Sequence, residues 1–181
     1  MEKVKEVPYG VADFVTVMEQ NLYYVDKTMF IPELEKQPRN LFFIRPRRFG
    51  KSIFLSMLHS YYDCNQSAKF QSLFGNLWIG QHPTELQGKY QVLFLDFSQV
   101  SGNIDSLERN FDFYCSVKLD GFMRRYGEAY SEETREKVRK AEYAMDKLAF
   151  IHDEAAQKGF DAIRKILFDS DGNRRTYELV G

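Results

Sequence analysis

An α/β fold, with a parallel or mixed sheet flanked by helices and a C-terminal β-hairpin, is what this sequence predicts, and three observations carry the prediction. Two short apolar runs, Leu41-Phe-Phe-Ile44 and Val92-Leu-Phe-Leu95, have the composition of strands buried on both faces. Segments of helical periodicity lie between and after them, the first marked by Ile53, Phe54, Met57, Leu58, Tyr61 and Tyr62. At the end, Lys165-Ile-Leu-Phe168 and Arg175-Thr-Tyr-Glu-Leu-Val180 flank Asp169-Ser-Asp-Gly-Asn173, and Asp-Gly between two such runs is a hairpin signal.

Taken in order, an amphipathic segment around Ala12 to Gln20 leads to Leu22-Tyr-Tyr-Val25. A short helix follows from Thr28 to Lys36, with Pro32 in the first turn, where a missing N–H is tolerated. The break at Pro38-Arg-Asn40 precedes the Leu41–Ile44 strand, which runs into the loop Arg45 to Gly50 and then a helix from Lys51. Gly88 turns the chain before the second strand, which ends in Asp96. A helix from Asn103 or Asp105 to about Tyr126 starts with residues suited to satisfying its first N–H groups. Another is predicted from Ser131 to Gly159, with Glu132 and Glu133 at the positive end of its dipole and Val138, Ala141, Met145, Leu148, Ile151 and Ala155 as one apolar stripe.

Bulk properties bound the function. The chain of 181 residues is 44% hydrophobic and 15% aromatic, enough to bury a core, and without repeats, linkers or low-complexity stretches it reads as a single domain, 1–181. With 25 basic against 26 acidic residues, the net charge of -1 excludes a general nucleic-acid coat and an acidic tail, so any electrostatic function is local. No window approaches the roughly 18 apolar residues of a membrane span. Met1-Glu-Lys-Val-Lys-Glu6 has no signal-peptide core, so a cytoplasmic protein without a membrane partner is expected. Cys64 and Cys115 read as reduced thiols, and His59, His82 and His152 as surface or packing residues, because none has a partner at metal-ligand spacing.

The chemistry is concentrated in Arg45-Pro-Arg-Arg-Phe-Gly-Lys51-Ser52. A standard phosphate loop, G-x-x-x-x-G-K-[ST], wraps backbone N–H groups around phosphate oxygens, reaches the outer phosphates with its lysine and holds magnesium with its hydroxyl. Gly50, Lys51 and Ser52 supply the last three positions, while Arg45 replaces the first glycine, where a side chain restricts backbone freedom. The strand before and the helix after place Lys51 and Ser52 at a helix N-terminus, which attracts anions. Four cations, Arg45, Arg47, Arg48 and Lys51, fall within seven residues. From the residues alone, three readings stay open: nucleotide phosphate, nucleic acid or another polyanion, and a solvated basic turn.

Gly10-Val-Ala-Asp-Phe14, Tyr24-Val-Asp-Lys-Thr28, Ile31 and Phe43-Ile-Arg-Pro-Arg-Arg-Phe-Gly-Lys-Ser52 resemble the opening motifs of the bacterial AAA-ATPase-like family. Members of that family often carry a nuclease-like domain of the PD-(D/E)XK type after the ATPase part, and the usual form of their loop also lacks the first glycine. The resemblance runs from about Val7 to Ser98, where Val92-Leu-Phe-Leu-Asp-Phe-Ser98 is similar to the next sheet strand, and is weaker beyond. It implies a P-loop NTPase-like sheet and ATP with Mg²⁺ as cofactors. The binding residues it implies are Arg45, Pro46, Arg47, Arg48, Phe49, Gly50, Lys51 and Ser52: Pro46 to Gly50 cradling the triphosphate, Lys51 on the β- and γ-phosphates and Ser52 on the metal. Tyr24, Asp26 and Lys27 are typical of the family and are expected to position the segment before the loop strand.

Hydrolysis also needs acidic groups on the magnesium shell and the attacking water, which the family supplies from a strand ending in Asp-Glu. Asp153-Glu154 sits in a helical pattern, and Asp96 reads first as a strand-end carboxylate. No catalytic residue is therefore assigned. The chain reads as a truncated, internally deleted or degenerate member with an incomplete sheet, binding a nucleoside triphosphate, ATP or GTP. The alternative is a non-catalytic module for nucleic acid, another polyanion or a protein partner.

Overall fold

The computed structural model describes residues 5–37, 40–44, 46, 49–158 and 165–168. They form two compact units, one comprising Met1–Tyr90 with Arg164–Gly181, the other Gln91–Ile163. The predicted α/β architecture is not what these residues build. Among them the ordered ladder consists of two four-residue strands, β1 (Asn40–Phe43) and β2 (Lys165–Phe168), paired in parallel with Leu41 opposite Ile166, and helices account for most of the rest. No helix-flanked P-loop sheet is present among them. The first arm of the expected C-terminal hairpin is β2, and the second arm and its turn lie outside the described residues.

The first unit is organised by α3 (Lys51–Tyr62), whose Phe54, Met57, Leu58 and Tyr61 are buried at the spacing of one helical face. Around them pack α1 (Phe14–Glu19), α2 (Ile31–Glu35), α4 (Phe70–Phe74) and α5 (Trp78–Gln81), contributing the fully buried Phe14, Ile31, Phe74 and Ile79. The rings of Phe14 and Phe74 stack at 5.0 Å, and Tyr61 meets Phe74 edge-on at 5.5 Å. The Tyr61 hydroxyl accepts the Thr84 N–H at 2.9 Å, and the Thr84 hydroxyl donates to Glu35 at 2.7 Å, so the polar end of this aromatic is satisfied.

In the second unit, α6 (Ile104–Tyr126), α7 (Glu132–Lys140) and α8 (Ala144–Gln157) pack on one another. The expected strand 92–95 joins no ladder among the described residues. Its backbone bonds to tyrosines of α6 instead: the Val92 N–H donates to the Tyr126 hydroxyl at 3.2 Å, and the Asp96 N–H to Tyr114 at 2.6 Å. The single helix expected from Ser131 to Gly159 is two helices. Ala141 and Tyr143 adopt extended angles, and Asp112 of α6 accepts the Ala144 N–H at 2.9 Å, starting α8 with a cap supplied from another helix. The break turns Val138 and Ile151 into the core and leaves Met145, assigned to the same stripe, 69% exposed.

Ser131, the predicted start, does cap α7, and its own N–H and hydroxyl each donate to Glu154 at 2.8 Å. Hydrogen bonds from Lys158, then from Thr134 and Ser131, outweigh burial and hold the Glu154 carboxyl down at about 2, against an ordinary 4.5. The ionised form is thus the one the fold prefers. The resulting stabilisation is complete above pH 4.5 and is lost as the pH falls through about 2. The thermal midpoint of the α7–α8 region is expected to drop across that window, and Glu154→Gln, followed by circular dichroism, should show a lower midpoint at neutral pH and a flatter acid limb. For the first unit, Phe74→Ala is expected to cost about 3–5 kcal/mol in urea titrations, since a fully buried ring leaves a cavity behind.

Candidate functional site

The sequence places its candidate loop between β1 and α3, and the structure keeps that order: strand, loop, helix. Arg45, Arg47 and Arg48 lie outside the described residues. Of the others, Pro46 is exposed, Phe49 is 59% exposed, and Gly50 is the N-cap of α3 with φ 74° and ψ 23°. This left-handed geometry is one that glycine adopts without the penalty a Cβ brings. Having no side chain, Gly50 places no capping group over the first N–H groups of α3, and the Phe54 N–H reaches back to the Gly50 carbonyl at 3.0 Å. Lys51 and Ser52 are the first two helical residues, half-buried and exposed respectively. The arrangement puts a lysine and a serine in the first turn of a helix, at the positive end of its dipole.

The other motif segments gather on α3. Asp13 caps α1, accepting from the Thr16 N–H at 2.8 Å and hydroxyl at 2.7 Å, and its second oxygen accepts from Ser56 of α3 at 3.0 Å. Ser56 in turn accepts the Phe14 N–H at 2.9 Å, one helical turn beyond Ser52. Burial tends to raise the Asp13 carboxyl, but the bonds from Thr16 and Ser56 outweigh it and leave the group below its ordinary range. Tyr24 packs edge-on against Phe14 at 5.3 Å, and burial, then the Asp26 charge, pushes its phenol far above the usual value. Tyr24 therefore stays a neutral packing residue.

Asp26 and Thr28 form a clasp. One Asp26 oxygen accepts the Thr28 N–H at 2.8 Å and hydroxyl at 2.7 Å, the other accepts the Trp78 N–H at 2.7 Å, and the buried Thr28 hydroxyl accepts the Ile79 N–H at 3.1 Å. The first N–H groups of α5 are thereby satisfied by residues about fifty positions earlier. Between the two clasp residues, exposed Lys27 reaches the loop, so that a methyl group built on Gly50 would lie 3.9 Å from Lys27 Nζ. Sequence reading kept Lys27 apart from the loop. The available signal was the Asp-x-Thr pattern around it, which marks a side-chain-closed turn that fixes the direction of its middle residue.

Two of the three acidic candidates, Asp96 and Glu154, prove to be capping groups. Asp96 accepts from the Ser98 N–H and hydroxyl at 3.1 and 2.6 Å, closing a 3₁₀ turn. Asp153 and Glu154 lie on α8, as their helical periodicity indicates, and Glu154 serves the α7 N-terminus.

A family model described as "Predicted AAA-ATPase" matches residues 8–166. The chain belongs to this AAA-ATPase-like family. It is similar, at 43% identity over 63 residues, to a protein of Azotobacter chroococcum mcd 1 described as "Uncharacterized protein in vnfD 5'region". That match covers 34% of this chain and 12% of the relative, so the chain spans a small part of that protein's length. No solved structure matches. Among the described residues, no helix is long and apolar enough to cross a membrane.

The geometry at Gly50 gives a direct test. Gly50→Ala is expected to destabilise the first unit by about 1–2 kcal/mol, because a Cβ is strained at this φ even though the space around it is adequate. Gly50→Asn should cost less, since asparagine tolerates the left-handed region, and urea midpoints of the two variants give the comparison.

Proposed function

We propose that this chain binds a nucleoside triphosphate with Mg²⁺ through the segment 45–52, with ATP as the first ligand to test. The observation that carries the reading is the left-handed Gly50 at the head of α3, followed at once by Lys51 and Ser52. An anion placed there meets backbone N–H groups at a helix N-terminus and the Lys51 ammonium. The family match supports the same ligand.

In this reading Lys51 neutralises charge on the outer phosphates and Ser52 offers its hydroxyl to the metal that accompanies them. Backbone groups of Pro46 to Gly50, with Arg45, Arg47 and Arg48, surround the remaining oxygens. Magnesium, when bound, supplies charge neutralisation across the phosphates. Gly50 keeps side-chain bulk away from the turn, and the Asp13–Ser56 contact holds α3 one turn behind it. No carboxylate is assigned to water activation, since Asp96 and Glu154 are engaged as caps. The function proposed is therefore binding, and turnover is not part of it.

A polyanion-binding role is the rival reading, and the basic loop composition alone does not separate the two. Calorimetric titration with a non-hydrolysable ATP analogue and Mg²⁺ does. Saturable binding is expected for the native chain and at least a hundredfold weakening for Lys51→Ala. Binding to DNA or RNA that falls steeply with salt and is not displaced by the analogue would favour the rival.

A further inference from the structure

We infer that Lys27 is a second phosphate-binding lysine of the same site, delivered to the loop by the Asp26–Thr28 clasp. The inference rests on the reading of segment 45–52 as a triphosphate site and adds to it a residue from a different part of the chain.

Three observations carry it. The Lys27 ammonium stands beside the turn, 3.9 Å from where a Gly50 Cβ would be, and so on the side of α3 where Lys51 and Ser52 begin. Its backbone is fixed: the residues before and after it are both bonded to α5, and Thr28 is fully buried. The lysine itself is exposed, so core packing does not account for its place. Its nearest carboxylate in sequence, Asp26, already has both oxygens engaged by N–H and O–H donors of Thr28 and Trp78. A long, flexible cation at the end of a rigid clasp, aimed at a helix N-terminus that would otherwise repel it, has an electrostatic reason to be there once an anion occupies the turn.

The chemistry is that of a charge-assisted hydrogen bond from Nζ to non-bridging phosphate oxygens, shared with Lys51. Asp26 and Thr28 are positioning residues in this account, acting only through the placement of Lys27 and α5. The ligand class follows: a chain of phosphates carrying several negative charges satisfies two ammonium groups, whereas a monophosphate offers less charge to the second. Lys27 should therefore matter more for triphosphate than for monophosphate.

The test compares the native chain, Lys27→Ala, Lys27→Arg, Lys51→Ala and a surface control, Lys36→Ala, whose lysine pairs with Glu33 at 2.8 Å. Each is titrated with the magnesium complex of the non-hydrolysable ATP analogue and, separately, with AMP. Thermal midpoint and the emission of Trp78, the single tryptophan, report whether the clasp is intact. Lys27→Ala is expected to weaken the triphosphate analogue about tenfold or more, with AMP affected less, midpoint and emission unchanged, most affinity restored by Lys27→Arg, and Lys36→Ala within twofold of native. If Lys51→Ala abolishes binding while Lys27→Ala stays within twofold of native, the phosphate-loop reading stands and this inference is overturned. If affinity falls only together with the midpoint or with a shift in Trp78 emission, in both Lys27→Ala and Lys27→Arg, Lys27 is a structural residue and the inference is likewise overturned. A native chain that binds no nucleotide overturns both.

Discussion

The seating of α3 is the constraint on which the first unit depends. Phe54, Met57, Leu58 and Tyr61 bury one face of this helix among Phe14, Ile31 and Phe74, and that burial fixes both its axis and its rotation. A buried side chain of this size contributes roughly 1.5–3 kcal/mol relative to exposure, so an alternative rotation that turns polar Ser52 inward is strongly disfavoured. The consequence reaches the N-terminus. With the apolar face committed, Ser52 is held toward solvent directly after the left-handed Gly50. Helix periodicity thus links the core to the loop: the residues that anchor α3 decide where its first turn points.

The motif segments before the loop serve the same end by different means. Asp13 and Phe14 grip α3 at Ser56, Tyr24 lies against Phe14, and Asp26 with Thr28 secures α5. Asp13, Ser56, Asp26 and Thr28 each use a short polar side chain to satisfy backbone N–H groups at a helix start, as a helix end requires. A carboxylate accepting three donors, as Asp26 does, cannot be replaced by an amide without presenting N–H groups to N–H groups. The chain therefore combines a hydrophobic seat for α3 with a polar frame that holds the neighbouring turns.

Much of this was legible in the sequence wherever the signal is local. The periodic apolar residues from Ile53 to Tyr62 define α3, Asn103 caps α6 as its chemistry suggests, and Pro32 lies in the first turn of α2. The Leu41–Ile44 run indicated a strand, and β1 occupies nearly that span. The misreadings share one cause, a partner distant in sequence. Val92-Leu-Phe-Leu95 is apolar enough for a sheet, yet the N–H groups at and just after it are taken by tyrosine hydroxyls from α6, which no window around residue 92 can reveal. The break between α7 and α8 carries neither glycine nor proline, and it is stabilised by Asp112, 32 residues away. The order of strand, Gly50, Lys51, Ser52 and helix was evident from the spacing, whereas the nearness of Lys27 to Gly50 depends on the long-range clasp on α5.

The central claim is that the head of α3 receives the phosphates of a nucleotide. Backbone hydrogen exchange, measured on the full chain with and without the magnesium complex of the ATP analogue, addresses it at the level of individual segments. The account predicts slowed exchange in the peptides spanning 45–54, with little change in α7 and α8. Unchanged exchange at 45–54, together with protection elsewhere or none at all, would contradict it.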